Sequence, residues 1–182
     1  MKSLEKVFSG LPGAQMIVGI DNVAKLKKRP RAIAQLVREP QARLVSMYEY
    51  FTGILQHPMP GMTDEAVEEW YDEIWGSLEP TFDEFVLGLP KVKDNHHFRC
   101  QRHEHEDLAD VRWRLDDVDN LWRVLKVKVA PGLPPKFPHR NKTEHRKTVD
   151  EYMGSLSEEA LAVYQDLYGD DEQFYKDALH MM

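Results

Sequence analysis

The chain has 182 residues, of which 42% are apolar and 30% are charged, and its formal net charge at pH 7 is −7. This length suffices for one domain with a buried core, and the composition is typical of a globular protein rather than a disordered one. The negative net charge argues against a general binder of nucleic acid or of anionic membranes. No segment of the sequence approaches the roughly 20 apolar residues that span a bilayer. A single cysteine, Cys100, excludes an internal disulfide framework.

The first third of the chain predicts strands separated by short helical turns. Residues 15–20 are predicted as a strand and residues 22–28 as one or two helical turns that end before Pro30. Residues 32–37 form a compact apolar run without helical period, which is typical of a buried strand. The first ten residues lack the apolar core of a signal peptide, so the chain as written is expected in the cytoplasm.

A helix with one buried face is predicted to follow that strand almost at once. Pro40 suits the first position of a helix, because its φ is already helical and its missing N–H is not needed there. Apolar residues from Leu44 to Leu55 then recur at helical spacing as far as Gln56. A strand that leads directly into a helix is the building unit of an α/β fold, so that fold class is predicted, with a parallel sheet flanked by helices.

Capping residues predict further helices, which make the C-terminal half helix-rich. Gly76 is expected to end the first of them, and residues 111–115 are predicted as a short strand between helices. We find no internal repeat, and we predict one domain over residues 1–182. The predicted helix starts are, in chain order, Thr63, Thr81 with Glu84 in a capping box, Asp116 or Asp117, and Ser155 with Glu158 in a second box.

The junction between the predicted strand and helix has the chemistry of an anion site. Arg38 ends the strand, at the edge of the sheet where α/β proteins bind ligands. The helix that starts at Pro40 offers free N–H groups and the positive end of its dipole. Arg38 adds a planar cation suited to phosphate, and Ser46 adds a hydroxyl. The alternative is that Arg38 pairs with Glu39 or with a neighbouring helix, and that Ser46 is only a small packing residue.

The same residues resemble a known motif. An arginine, an acidic residue and a proline, followed by a second arginine, a serine and a tyrosine, are similar to the element that binds the 3′-phosphate of 3′-phosphoadenylyl sulfate in sulfotransferases. Further segments resemble the uronosyl type of the membrane carbohydrate sulfotransferases, and the resemblance covers about residues 12–176. The motif residues are Arg38, Glu39, Pro40, Arg43, Ser46 and Tyr48, and the further segments are residues 12–30, 82–86, 94–101, 141–148 and 156–175.

The resemblance implies a sulfotransferase fold, which is like that of the P-loop nucleoside triphosphatases, and a set of site residues. Arg38 and Ser46 would bind the 3′-phosphate of the nucleotide sulfate donor, 3′-phosphoadenylyl sulfate, and no metal is expected. Lys147 and Thr148 would lie near the nucleotide. His145 would be catalytic, near the sulfuryl group or an anionic acceptor. The residues implied at the acceptor are His96, His139, Arg140 and Arg146.

Two departures from the family pattern bear on activity. Relatives open with a strand and a loop containing Gly, Lys and Thr that binds the 5′-phosphosulfate, and this first βα unit is not found in the sequence. The position that matches the histidine base of the uronosyl relatives is Ile20, which cannot accept a proton, so Asp21 is the candidate base. We therefore expect a truncated sulfotransferase, an inactive protein with the same fold, or a chain completed by a partner. If the N-terminus is incomplete, the secretory lumen becomes an alternative location.

Two functions of other classes compete with the sulfotransferase. The histidines at positions 96, 97, 103 and 105 suit zinc or iron, although their spacing matches no familiar ligand set and a polar loop is favoured. The four tryptophans could mark an interaction module, but those at helical spacing beside apolar residues favour core positions. The acceptor is left open, with the basic residues 136–147 favouring an acidic glycan. A homo-oligomer is also left open.

Overall fold

The computed structural model describes residues 34–54, 63–95, 97–102, 109, 111–128, 131–132, 135–136 and 146–178. These residues form a helix-rich, mixed α/β structure with a small parallel sheet, which confirms the predicted α/β class. The predicted strand at residues 15–20 and the helical turns at residues 22–28 lie outside the described residues. No helix in the described ranges is both long and apolar enough to cross a membrane.

The described elements match most of the predicted ones. A short 3₁₀ turn at Leu89–Lys91 follows the third helix, and another at Leu115–Asp117 leads into the fourth. The strands are β1 (Ala34–Val37) and β2 (Val111–Arg114), and the helices are α1 (Pro40–Ile54), α2 (Asp64–Trp75), α3 (Phe82–Gly88), α4 (Val118–Lys128), α5 (Val149–Met153) and α6 (Glu158–Asp177).

The two strands pair in parallel. Their register runs from Ala34 opposite Val111 to Val37 opposite Arg114. The strand predicted at residues 32–37 and the one predicted at residues 111–115 are both confirmed over four residues each. Because the strands are parallel, their carboxyl ends share one edge of the sheet, and Arg38 follows β1 at that edge.

Contacts group the chain into two compact units. The sheet unit comprises residues 1–39, 102–142 and 174–182, and the helical unit comprises residues 40–101 and 143–173. In the sheet unit, the buried cluster contains Val37, Phe174, Tyr175 and Ala178, and Trp113 and Trp122 are also buried. The single domain predicted over residues 1–182 stays a prediction.

The helical unit has a larger and strongly aromatic core. Trp75 stacks on Phe85 with ring centroids 5.2 Å apart, and its indole N–H donates to the Phe85 carbonyl at 3.1 Å. The tryptophans predicted to fill a core, Trp70 and Trp75, pack against this cluster. Burial of these rings contributes to the hydrophobic stabilisation of the unit. The buried members are Leu44, Val45, Met47, Phe51, Val67, Tyr71, Phe82, Phe85, Val86, Leu89, Phe98, Tyr152, Ala160, Tyr164 and Tyr168.

Most of the predicted helix ends are confirmed. The Thr63 side chain accepts from the N–H of Ala66, and Gly76 ends α2 in the left-handed region at φ 65°. Thr81 and Glu84 form the predicted capping box of α3.

The box predicted between Ser155 and Glu158 is wrong. The Ser155 hydroxyl instead donates to the Tyr152 carbonyl at 2.7 Å, while Ser157 accepts from the N–H of Ala160 and caps α6. The N–H of Ser157 donates to Asp83 at 2.7 Å. This contact, which comes from a distant part of the sequence, holds the capping residue at the start of α6.

Candidate functional site

The predicted strand–helix junction is present. Strand β1 ends at Val37 and helix α1 begins at Pro40, so only Arg38 and Glu39 connect them. Both connecting residues are partly buried. The geometry that the motif requires, a parallel strand followed after two residues by a helix with proline at its first position, is therefore found at the predicted place.

A second arginine lies near Arg38 at the same edge of the sheet. Arg114 ends β2 opposite Val37, and its guanidinium lies 4.1 Å from the centre of the Tyr175 ring. The Nε of Arg114 donates to Asp116 at 3.0 Å, and the Tyr175 hydroxyl donates to the same carboxylate at 2.9 Å. The hydrogen bond from Arg114 lowers the pKa of Asp116. The charge of Arg114 is thus balanced within the protein.

The second motif arginine, Arg43, has a structural role in the helical unit. Its Nη2 donates to the carbonyl of Arg99 at 2.6 Å and to that of His97 at 3.2 Å. Its Nη1 lies 3.8 Å from the carboxylate of Asp171, which is fully buried. The guanidinium therefore joins helix α1 to residues 97–99 rather than extending into solvent.

Asp171 and Tyr168 of helix α6 bind the same segment of main chain. Both carboxylate oxygens of Asp171 accept from the N–H of Gln101 at 2.8 Å. The Tyr168 hydroxyl donates to the Phe98 carbonyl at 2.5 Å, and burial raises the pKa of Tyr168 to about 12. The main chain at residues 97–101 is consequently held by three side chains from α1 and α6. His96, the predicted acceptor residue that precedes this segment, lies outside the described residues.

Helix α1 carries two buried polar side chains one turn apart. Ser46, the predicted phosphate ligand, is 8% exposed, and Glu49 is 7% exposed. Residues three apart on a helix share a face. Glu49 accepts from the main-chain N–H of Arg146 at 3.1 Å, and the Arg146 Nε lies 3.5 Å from the same carboxylate. The hydroxyl of the buried Tyr152 also donates to Glu49.

Two further predicted nucleotide residues follow Arg146 directly. Lys147 is exposed, and its ammonium lies 5.8 Å from the centre of the Tyr152 ring. Thr148 caps α5 in a box with Glu151: its hydroxyl oxygen accepts from the Glu151 N–H at 3.3 Å, and the Glu151 carboxylate accepts from the Thr148 N–H at 2.8 Å. Hydrogen bonds from Thr148 lower the pKa of Glu151. In this structure the Thr148 hydroxyl therefore serves the helix.

The structure brings together only part of the predicted site. Ser46, Arg146, Lys147 and Thr148 belong to the helical unit, where Glu49 connects the helix of Ser46 to Arg146. Arg38 belongs to the sheet unit. The remaining predicted residues lie outside the described part of the chain, and their roles stay predictions; they are Asp21, His96, His139, Arg140 and His145.

Sequence reasoning missed the buried carboxylates Glu49 and Asp171. A glutamate or aspartate at helical spacing is normally solvent-exposed. Their partners, Arg146, Tyr152 and Gln101, lie 97, 103 and 70 residues away in the chain, so no local pattern marks them.

The metal hypothesis gains no support from the described residues. Within them, no group of three or more histidine, cysteine, aspartate or glutamate side chains is placed to hold a metal ion. Of the four histidines behind the hypothesis, only His97 is described, and its carbonyl accepts from Arg43.

Comparison of the chain with the models of protein families, with curated proteins and with solved structures finds no match.

Proposed function

We propose that this chain is a sulfotransferase-like protein that transfers a sulfuryl group from 3′-phosphoadenylyl sulfate to a hydroxyl of a carbohydrate or another small acceptor. We propose with it the sulfotransferase fold, the finer form of the α/β class. The observation that supports the proposal is the junction at Arg38. There a parallel strand passes within two residues into a helix that starts at Pro40, and the sequence motif falls on that junction.

The chemistry of the junction suits a phosphate monoester. A guanidinium offers two parallel N–H groups to two phosphate oxygens, and charge-assisted bonds of this kind are about twice as strong as neutral ones. The start of α1 adds the positive end of a helix of 15 residues. We assign the 3′-phosphate of the nucleotide to Arg38 and Ser46.

Sulfuryl transfer needs little more than position, charge and a base. The acceptor oxygen attacks sulfur, the bond from sulfur to the bridging phosphate oxygen breaks, and the acceptor proton passes to a base. We assign the proton to Asp21 and charge stabilisation at the sulfuryl group to His145. Lys147 and Thr148 are assigned to the nucleotide, and the acceptor to His96, His139, Arg140 and Arg146.

A second candidate is a protein of the same fold that binds the nucleotide without turnover. It is favoured by Ile20, an aliphatic side chain at the position of the base in the relatives. A sulfate-transfer assay with uronate-rich glycans, neutral glycans and phenols separates the two. Transfer to the uronate-rich glycans is expected from the basic residues 136–147, and transfer to phenols alone would contradict an acidic acceptor.

Nucleotide binding is tested by calorimetric titration with adenosine 3′,5′-bisphosphate. Arg38→Ala is expected to weaken binding by about tenfold to 100-fold, because a hydrogen-bonded charge pair contributes about 1.5–3 kcal/mol. Adenosine 5′-monophosphate lacks the 3′-phosphate, so its affinity should be the same for the wild type and the variant. Arg123→Ala, which removes an exposed arginine of α4, is the matched control and should leave both affinities unchanged.

Three results would contradict the proposal. The wild type could fail to bind the bisphosphate, Arg38→Ala could bind it as well as the wild type does, or Arg38→Ala could weaken both nucleotides equally. The last result would place Arg38 away from the 3′-phosphate.

A further inference from the structure

Glu49 is a buried carboxylate that the proposed chemistry does not use. Only 7% of the residue is exposed, and it lies in the middle of α1. An ionised carboxylate is costly to remove from water unless it is hydrogen-bonded and paired with a cation. Here the N–H of Arg146, the hydroxyl of Tyr152 and the guanidinium of Arg146 supply those partners. The burial of Glu49 is therefore tolerated only while residues 146–152 lie against α1.

The contacts of Glu49 restrict the backbone on both sides of Lys147. On one side, the N–H of Arg146 is bonded to Glu49. On the other, Thr148 is held in the capping box of α5, and α5 is itself joined to Glu49 through Tyr152. Between these fixed points, the Lys147 ammonium lies over the Tyr152 ring at 5.8 Å and its side chain is exposed. A cation with a fixed backbone and an exposed head loses little entropy when it binds an anion.

We infer that Glu49 is a positioning residue that holds Lys147 for an anionic nucleotide. The inference rests on the proposed function, which assigns the 3′-phosphate to Ser46. Glu49 lies one helical turn from Ser46 on α1. Glu49 does not touch the nucleotide. It acts through Arg146 and Tyr152, which bring the segment that carries Lys147 to the helix that carries Ser46.

A double-mutant cycle tests the inference, with adenosine 3′,5′-bisphosphate as the titrated ligand. Lys147→Ala is expected to weaken binding about fivefold in the wild type, as for one partly exposed ionic contact. Glu49→Gln keeps the size of the side chain but removes its charge, and it should weaken binding to a similar extent. In the Glu49→Gln background, Lys147→Ala should change the affinity by less than about twofold, because the lysine is no longer held in place.

If the effects of Glu49→Gln and Lys147→Ala on the affinity multiply in the double variant, the two residues act independently and the positioning role is overturned. Glu68→Gln serves as the matched control, since Glu68 is an exposed glutamate of helix α2 in the same unit. It should leave the affinity and the effect of Lys147→Ala unchanged.

Native-state cleavage by trypsin tests the attachment without any ligand. Glu49→Gln should speed cleavage after Arg146 and Lys147 about tenfold, because local opening exposes both bonds. Tyr152→Phe removes one donor to Glu49 and should give a smaller increase. If the wild type does not bind the bisphosphate but cleavage rises as expected, the proposed function fails and the attachment stands. An unchanged cleavage rate in both variants overturns the attachment itself.

Discussion

The two units of the molecule hold their charged side chains in different ways. In the helical unit, Arg43, Glu49 and Asp171 are mostly or fully buried, and each is hydrogen-bonded to main-chain groups far away in the sequence. In the sheet unit, Arg114 and Asp116 pair near the surface, with side chains 24% and 54% exposed. Exposed pairs contribute little to stability, whereas a buried charge that loses its partner is strongly destabilising. We therefore expect the buried charges of the helical unit to contribute more to stability than the exposed Arg114–Asp116 pair of the sheet unit.

The largest expected effect is from Asp171→Asn. The change leaves the guanidinium of Arg43 without its buried counter-charge. It also puts an NH2 group in place of one of the two oxygens that accept from the N–H of Gln101. We expect the free energy of unfolding to fall by about 3 kcal/mol, as for other broken buried pairs. Urea unfolding followed by tryptophan fluorescence measures this. Asp170→Asn is the matched control, because Asp170 is exposed, and an equal loss in both variants would contradict the difference between buried and exposed charges.

A smaller effect is expected from Tyr168 at alkaline pH. Its pKa is raised from 10.0 to about 12 by burial, so the unfolded chain loses this proton first as the pH rises. The stabilisation is complete below pH 10 and is lost as the pH rises through 12, and by pH 11 about 1.4 kcal/mol of it is lost by linkage. Urea unfolding at pH 9 and pH 11 should show a smaller decrease for Tyr168→Phe than for the wild type. Equal decreases would show that Tyr168 titrates alike in both states.

The smallest effect is expected in the sheet unit. Asp116→Asn removes the partner of Arg114 at a position where water can replace it, so the free energy of unfolding should fall by less than about 1 kcal/mol. Arg114 lowers the pKa of Asp116. The contribution of the Asp116 carboxylate to the free energy of unfolding is therefore present at neutral pH and is lost as the pH falls through the lowered pKa. Thermal unfolding at pH 7 and pH 3 measures both. A loss at pH 7 as large as that of Asp171→Asn would remove the distinction between the units.

Local chemistry explains the features that the sequence predicts correctly. Pro40, Gly76 and the Thr81–Glu84 box act within one helical turn, and each is confirmed. The failure at Ser155 has the opposite cause. Ser155 and Ser157 both precede acidic residues, and the one that caps the helix is the one whose N–H is bonded to Asp83, 74 residues away. Helix ends that depend on such a contact cannot be derived from a local pattern.

For the candidate site, too, the sequence predicts the local features and misses those that depend on distant contacts. The junction at Arg38 follows from the order of strand, arginine and proline, and it is confirmed as a structure. The attachment of Arg146 to Glu49 depends on packing between residues almost 100 positions apart, and nothing in the spacing of either segment indicates it. Sequence thus identifies where the chain changes direction but not which buried charges hold distant segments together.

The structural use of Arg43 has a consequence for how such a motif changes during evolution. Arg43 binds the carbonyls of residues 97 and 99 and faces Asp171, so selection for folding alone is enough to retain it. In a lineage released from selection for nucleotide binding, position 43 should therefore stay arginine. An arginine retained at position 43 is then a mark of the fold and not, by itself, a mark of the ligand.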